Sequence, residues 1–182
     1  MVLNNKPQMF NIAFPSNFFY PEIATKWSPI IEKMKLPYQG VDDFMNAQIQ
    51  QIRFPGFNVE PSVQQRGQYE VTYNGGKELE PLITKELNIT FKLTESYVSY
   101  FILWDQLDMY LHYKANIEEA KDIWFEPITL SFISDAGFEL TKFIFRQLTP
   151  LSMTELNLSY AATVASYNTF TWNLKYNFFD IV

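Results

Sequence analysis

The chain reads as a mainly β protein, an antiparallel β-sandwich or β-barrel protomer with one amphipathic α-helix. Three observations predict this. Residues 169–178 alternate without a break, with Phe170, Trp172, Leu174, Tyr176 and Phe178 on one side and Thr169, Thr171, Asn173, Lys175 and Asn177 on the other. Side chains of an extended chain project to opposite faces with period 2, so the segment forms a ribbon with one oily and one wet face. At about 3.3 Å per residue it would run roughly 33 Å, longer than a usual strand, which suits a curved wall with one face in water. Residues 86–93 repeat the pattern, with Leu87, Ile89, Phe91 and Leu93 opposed to Asn88, Thr90 and Lys92. Finally, 18% of residues are aromatic, with 17 Phe and 11 Tyr, and flat rings pack well on pleated surfaces.

In chain order, residues 8–20 carry Phe10, Phe14, Phe18, Phe19 and Tyr20 between prolines and read as a strand and a turn. Residues 24–36 suit a short helix with Trp27, Ile30, Ile31 and Met34 on one side, provided that Pro29 falls in its first turn,. A turn at 37–40 leads to a strand over 45–54, whose alternation is imperfect and which Pro55-Gly56 ends,. Residues 58–72 are polar and extended, and Asn74-Gly75-Gly76 is a turn, since Asn and Gly tolerate positive φ,.

After the strand at 86–93 the period changes. Tyr97, Tyr100, Phe101, Trp104, Leu107 and Leu111 recur at steps of three and four, the mark of an amphipathic helix,. Thr94 fits its N-cap and Glu95 the positive end of its dipole. Residues 117–123 add a turn or two of helix. A strand apolar on both faces follows at 126–134, then the turn Asp135-Ala136-Gly137, a strand at 138–146, and a short alternating strand at 156–160. No repeat, linker or low-complexity tract divides the 182 residues, so a single domain is expected,.

The net charge of −6 disfavours wrapping nucleic acid, although it permits a surface that nucleic acid slides past,. Without cysteine there are no disulfides or thiolate metal sites, which fits a reducing cytosol,. The first residues lack the apolar core of a signal peptide, and no run of about 18 apolar residues could span a bilayer. A soluble protein made in a cytoplasm, without membrane contact, is expected.

Chemistry-bearing motifs are absent. His112 is the only histidine, lacks partners at metal-ligand spacing, and is expected to be solvated on the helix,. The acid pairs Asp42-Asp43, Glu118-Glu119 and Asp105 with Asp108 lie side by side on loops or a helix, whereas glycosidase carboxylates come from separate strands around a cleft,. Gly75-Gly76 lacks the remainder of a phosphate loop. Ser28, Ser62, Ser99 and Ser152 have neither a nucleophile elbow nor a placed base. No enzymatic activity, cofactor or metal is expected.

The order of the pieces resembles the tail tube proteins of contractile-tailed bacteriophages, whose fold is shared by the inner tube of type VI secretion systems. The matching pieces are Gln8-Met9-Phe10-Asn11-Ile12, residues 46–56 ending in Phe54-Pro55-Gly56, and Asn74-Gly75-Gly76 through Glu80-Pro81 into residues 87–93. The helix opened at Thr94-Glu95 comes next, then residues 143–151 leading through Leu156-Asn157-Leu158 to the aromatic strand ending at Phe179. The likeness covers about three quarters of the chain, and residues 14–41 look like an insertion.

The resemblance implies protomers that form hexameric rings, stacked into a tube whose lumen is a continuous β-barrel conducting genome DNA without specific binding. It implies sheath, baseplate hub or terminator proteins as partners, assembly in the host cytoplasm, and residence in the virion tail. Asn88, Thr90, Lys92, Thr171, Asn173 and Lys175 are the candidate lumen residues. Two alternatives stay open: an initiator or adaptor ring of the baseplate or neck, and a carbohydrate-binding β-sandwich.

Overall fold

The computed structural model describes residues 10–35, 37–54, 56, 62–73, 85–115, 124–134, 136–156 and 168–182. Among them, three helices accompany two four-stranded antiparallel sheets and one hairpin. The first sheet has the order β1 (Phe10–Ala13), β6 (Ile128–Ile133), β7 (Glu139–Arg146), β10 (Phe178–Ile181). The second has the order β2 (Ile49–Arg53), β5 (Glu86–Lys92), β9 (Thr169–Lys175), β8 (Thr149–Met153). Their apolar faces meet in a core of Ile12, Leu130 and Phe145 from the first sheet and Leu87, Ile89, Phe91, Phe170, Trp172 and Leu174 from the second. Among the described residues each sheet keeps two open edges, so the protomer is sandwich-like and not a barrel closed on itself.

The alternation at 86–93 and 169–175 is realised side chain by side chain. Leu87, Ile89, Phe91, Phe170, Trp172 and Leu174 are buried, while the residues between them are half-buried or exposed. The expected ten-residue strand, however, is two strands. β9 stops at Lys175, and the chain crosses through Tyr176 and Asn177 into the other sheet as β10. Tyr176 is still buried, but Phe178, expected on the oily side, is 52% exposed. Period 2 persists through a corner between sheets, so alternation alone does not show where one sheet is exchanged for another.

Three further expectations are corrected. Residues 45–47 belong to a helix, α2 (Val41–Ala47), and only β2 is extended. A β-bulge between Ile49 and Gln51 puts Ile49 opposite Phe91 and Ile52 opposite Ile89. That extra residue is why the alternation looked imperfect. Helix α1 (Pro21–Lys33) holds Pro21 at its start and Pro29 in its interior. The burial of Ile23, Trp27 and Ile31 outweighs the hydrogen bond that Pro29 cannot donate,. Residues 62–73 are not merely extended. They form the hairpin β3 (Ser62–Arg66) and β4 (Tyr69–Tyr73), turning at Gly67 with φ of +64°,.

Helix α3 (Val98–Ala115) follows a 3-10 turn at Glu95–Tyr97. Thr94 makes no cap bond to that turn; its hydroxyl accepts the Ser99 N–H at 3.2 Å. The buried face of α3 is Val98, Ser99, Tyr100, Ile102, Leu103, Gln106 and Tyr110. Phe101, Trp104 and Leu111, three members of the expected inner stripe, are exposed. The helix is apolar nearly all round, so its periodicity has no sharp phase.

Residues 14–35 join the core through Phe14, Phe18, Phe19, Ile23, Trp27 and Ile31. Gln106 of α3 donates to the Phe18 carbonyl at 2.9 Å, and Asp105 accepts from Lys26 and the Trp27 indole, both at 2.6 Å. The strand expected at 156–160 lies outside the described residues apart from Leu156, as do the turn at 74–76 and the helical turn at 117–123. No helix among the described residues is long and apolar enough to cross a membrane.

Candidate functional site

β5 and β9 pair antiparallel in unbroken register over their whole length: Glu86 with Lys175, Leu87 with Leu174, Asn88 with Asn173, Ile89 with Trp172, Thr90 with Thr171, Phe91 with Phe170, Lys92 with Thr169. Directly opposite residues share a face. All six candidate lumen residues therefore lie together on the side of the second sheet turned away from the core. Lys175 is exposed and the other five are half-buried.

The edge strands extend this face with residues that the sequence did not single out. Arg53 lies opposite Asn88 and Gln51 opposite Thr90. Ser152 lies opposite Asn173. One polar row thus crosses all four strands as Ser152, Asn173, Asn88 and Arg53, with Asn173 Nδ2 donating to Ser152 Oγ at 2.8 Å. A second row runs through Thr154, Thr171, Thr90 and Gln51. Its hydroxyls Thr90 Oγ1 and Thr171 Oγ1 are 3.1 Å apart, and the Thr171 N–H donates to Thr154 Oγ1 at 2.9 Å. Cross-strand Thr pairs of this kind stabilise a sheet by roughly 0.2–1 kcal/mol. The row partners were hidden because register between distant strands is a tertiary property, and the β2 bulge disguised which face Gln51 and Arg53 share.

Charge is sparse on this face. Its described members are Arg53, Lys92 and Lys175 against Glu86, and Lys175 is directly across from Glu86. Uncharged amides and hydroxyls fill the middle. Asn88 Oδ1 in this middle is buried without a hydrogen-bond partner among the described residues.

The remaining candidates form no centre. His112 is exposed on α3, with Nδ1 3.3 Å from the Asp108 carbonyl oxygen. Asp43 accepts the Gln39 N–H at 3.2 Å, and desolvation raises the carboxyl pKa of neighbouring Asp42 above its ordinary value. Asp105 ties α1 to α3. Ser99 is buried and donates to the Lys92 carbonyl at 3.0 Å. Glu118 and Glu119 lie outside the described residues. No cluster of three or more His, Asp or Glu able to hold a metal occurs among the described residues.

No protein-family profile matches the chain, and no curated protein matches it. Among solved structures, a chain of the extracellular contractile injection system PVC sheath–tube complex in its extended state aligns over 100% of this chain and 93% of its own length, at 12% identity and a TM-score of 0.51. The two share a fold. A chain of the anti-feeding prophage baseplate aligns over 74% of this chain and 80% of its own, at 12% identity and a TM-score of 0.48. One from the PVC sheath/tube terminator aligns over 74% and 84%, at 14% identity and a TM-score of 0.46.

Proposed function

We propose that this chain is a structural subunit of a tube. In this reading the second sheets of successive copies join edge to edge into a closed, hexameric ring, and stacked rings enclose a lumen that conducts genome DNA during ejection. The observation that carries the reading is the two-sidedness of β5 and β9: seven register pairs place a continuous polar face opposite a continuous buried one. The fold shared with a chain of a sheath–tube complex supports it.

Topology favours closure. Three antiparallel pairings separate β2 from β8, so the two edges run in opposite senses. A copy placed beside another therefore continues the sheet antiparallel, and a closed wall leaves no edge exposed. A hexameric ring would contain about 24 strands. At about 4.8 Å between strands, its backbone circumference is at least about 115 Å and its diameter at least about 37 Å. The row of Ser152, Asn173, Asn88 and Arg53 then repeats as a polar hoop around the bore. DNA transits without specific binding because most of the hoop residues are neutral, and a virion tail with sheath, baseplate hub or terminator proteins is the proposed setting.

Negative-stain microscopy of the purified protein tests the reading. Rings or hollow rods are expected, and particles that remain small and monodisperse at all concentrations count against it. Copy number separates a tube subunit, present in many stacked rings, from an initiator or adaptor that forms one.

A further inference from the structure

The two lateral sides of the sandwich are unlike. On one side the edge strands β1 and β2 stand apart, and a cleft of about 590 Å³ opens between them into the intersheet layer. Phe10, Ile12, Ile49, Ile52, Phe54 and Phe132 supply its apolar lining. The floor is fixed where the Phe14 N–H donates to Asn46 Oδ1 at 2.9 Å, tying the end of β1 to the approach to β2. On the other side the edges are β10 and β8. β8 carries a bulge between Pro150 and Ser152, and the residue within it, Leu151, is 50% exposed.

We propose that the cleft is the socket of a joint between copies, filled by the β8 edge of a second copy with Leu151 as its anchor. The inference rests on the tube reading and adds to it which groups make the contact. Three features favour a second copy as the occupant. β8 runs antiparallel to β2, so it can extend that sheet without reversing its sense. The edges match in length, five residues for β2 and β8 and four for β1 and β10. Each side also supplies what the other lacks, a recess with Phe and Ile side chains set among amides on one and an exposed leucine on the other. A contact between two different patches is heterologous and generates a ring when its rotation closes. The bulges on β2 and β8 restrict which strand can pair with each edge.

The absence of native cysteine permits a direct test. Gln50, exposed in the β2 bulge and lining the cleft, is changed by Gln50→Cys, and Leu151 by Leu151→Cys. Under oxidation, an equimolar mixture of the two single variants is expected to yield covalent dimers, whereas neither variant alone does so. The double variant is expected to yield a ladder of multimers that ends at one size. Leu151→Asp is expected to weaken association more than about tenfold while leaving the melting temperature of the monomer unchanged, since the side chain is half exposed. Rings seen by microscopy without cross-links in the mixture would overturn the joint and spare the tube reading. Cross-linking of Gln50→Cys with itself would overturn it in favour of an isologous contact. A small apolar molecule retained in the cleft by native mass spectrometry, with association insensitive to Leu151→Asp, would also overturn it. A protein that never associates would sink both readings.

Discussion

The two four-stranded sheets share a core but differ on their outer faces. In the second sheet, buried and half-buried residues alternate strictly along β5 and β9, and the outer face is built of Asn, Thr, Gln and Ser with few charges. In the first sheet, β7 has one fully buried residue, Phe145, and large apolar groups such as Leu140 and Ile181 are exposed at its margins. A free surface tolerates scattered apolar groups, as the first sheet shows. In the proposed tube, the outer side of the second sheet is the one that faces the bore.

Substitutions that exchange the character of the two faces should have the largest effects. Trp172→Asp places a carboxylate where Trp172 is fully buried against Phe18 and Phe125. A loss above about 4 kcal/mol is expected, seen as failure to fold or a collapsed denaturation midpoint. Phe91→Ala, which removes a ring stacked on Phe170 at 5.4 Å, should cost about 3–5 kcal/mol,. Its neighbour on the opposite face, Thr90→Ala, should cost less than about 1 kcal/mol, with a similarly small coupling to Thr171→Ala in a double-mutant cycle,. Equal costs for Phe91→Ala and Thr90→Ala in urea denaturation would erase the distinction between the faces.

pH sharpens the comparison further. Burial pushes the Tyr176 phenol up from its usual value of 10.0 to about 12. Its contribution is fully present below pH 10 and is lost as pH rises toward 12, because the folded state holds the proton that the unfolded chain releases,. Tyr176→Phe should therefore flatten the fall in stability across that alkaline window. The smallest effect belongs to Asp42, whose folded-state pKa is raised from 3.8 by desolvation, opposed by a hydrogen bond from the Phe19 backbone. Stability falls as pH rises above 3.8, so Asp42→Asn should stabilise modestly near neutral pH and give no gain below that value,. Thermal melts at both pH values check the sign.

The strands of the second sheet were legible wherever period 2 ran unbroken. Residues 86–93 and 169–175 showed their inner and outer faces directly, and with them the shared outer face of Asn88, Thr90, Lys92, Thr171, Asn173 and Lys175. What stayed illegible had physical causes. The β2 bulge shifted the phase of Ile49 and Ile52, and packing of Trp27 and Ile31 carried α1 through Pro29. The Gly67 hairpin lacked strong apolar alternation. In α3, Phe101, Trp104 and Leu111 were placed inward because a helix with apolar residues on every side offers no phase to read. Ser152, Arg53 and Gln51 could join the candidate face only once strand order was known.

The corner at Tyr176 and Asn177 has a mechanical consequence. The Tyr176 N–H donates to the Lys85 carbonyl at 3.1 Å, Lys85 Nζ to the Asn177 carbonyl at 3.0 Å, and Asn177 Nδ2 to Gln147 Oε1 at 3.0 Å. The terminal ribbon thus works as a stiff bracket riveted to both layers. Tension pulling along β9 passes into β10 without meeting a slack tether, so the two layers take up a load together instead of sliding past each other.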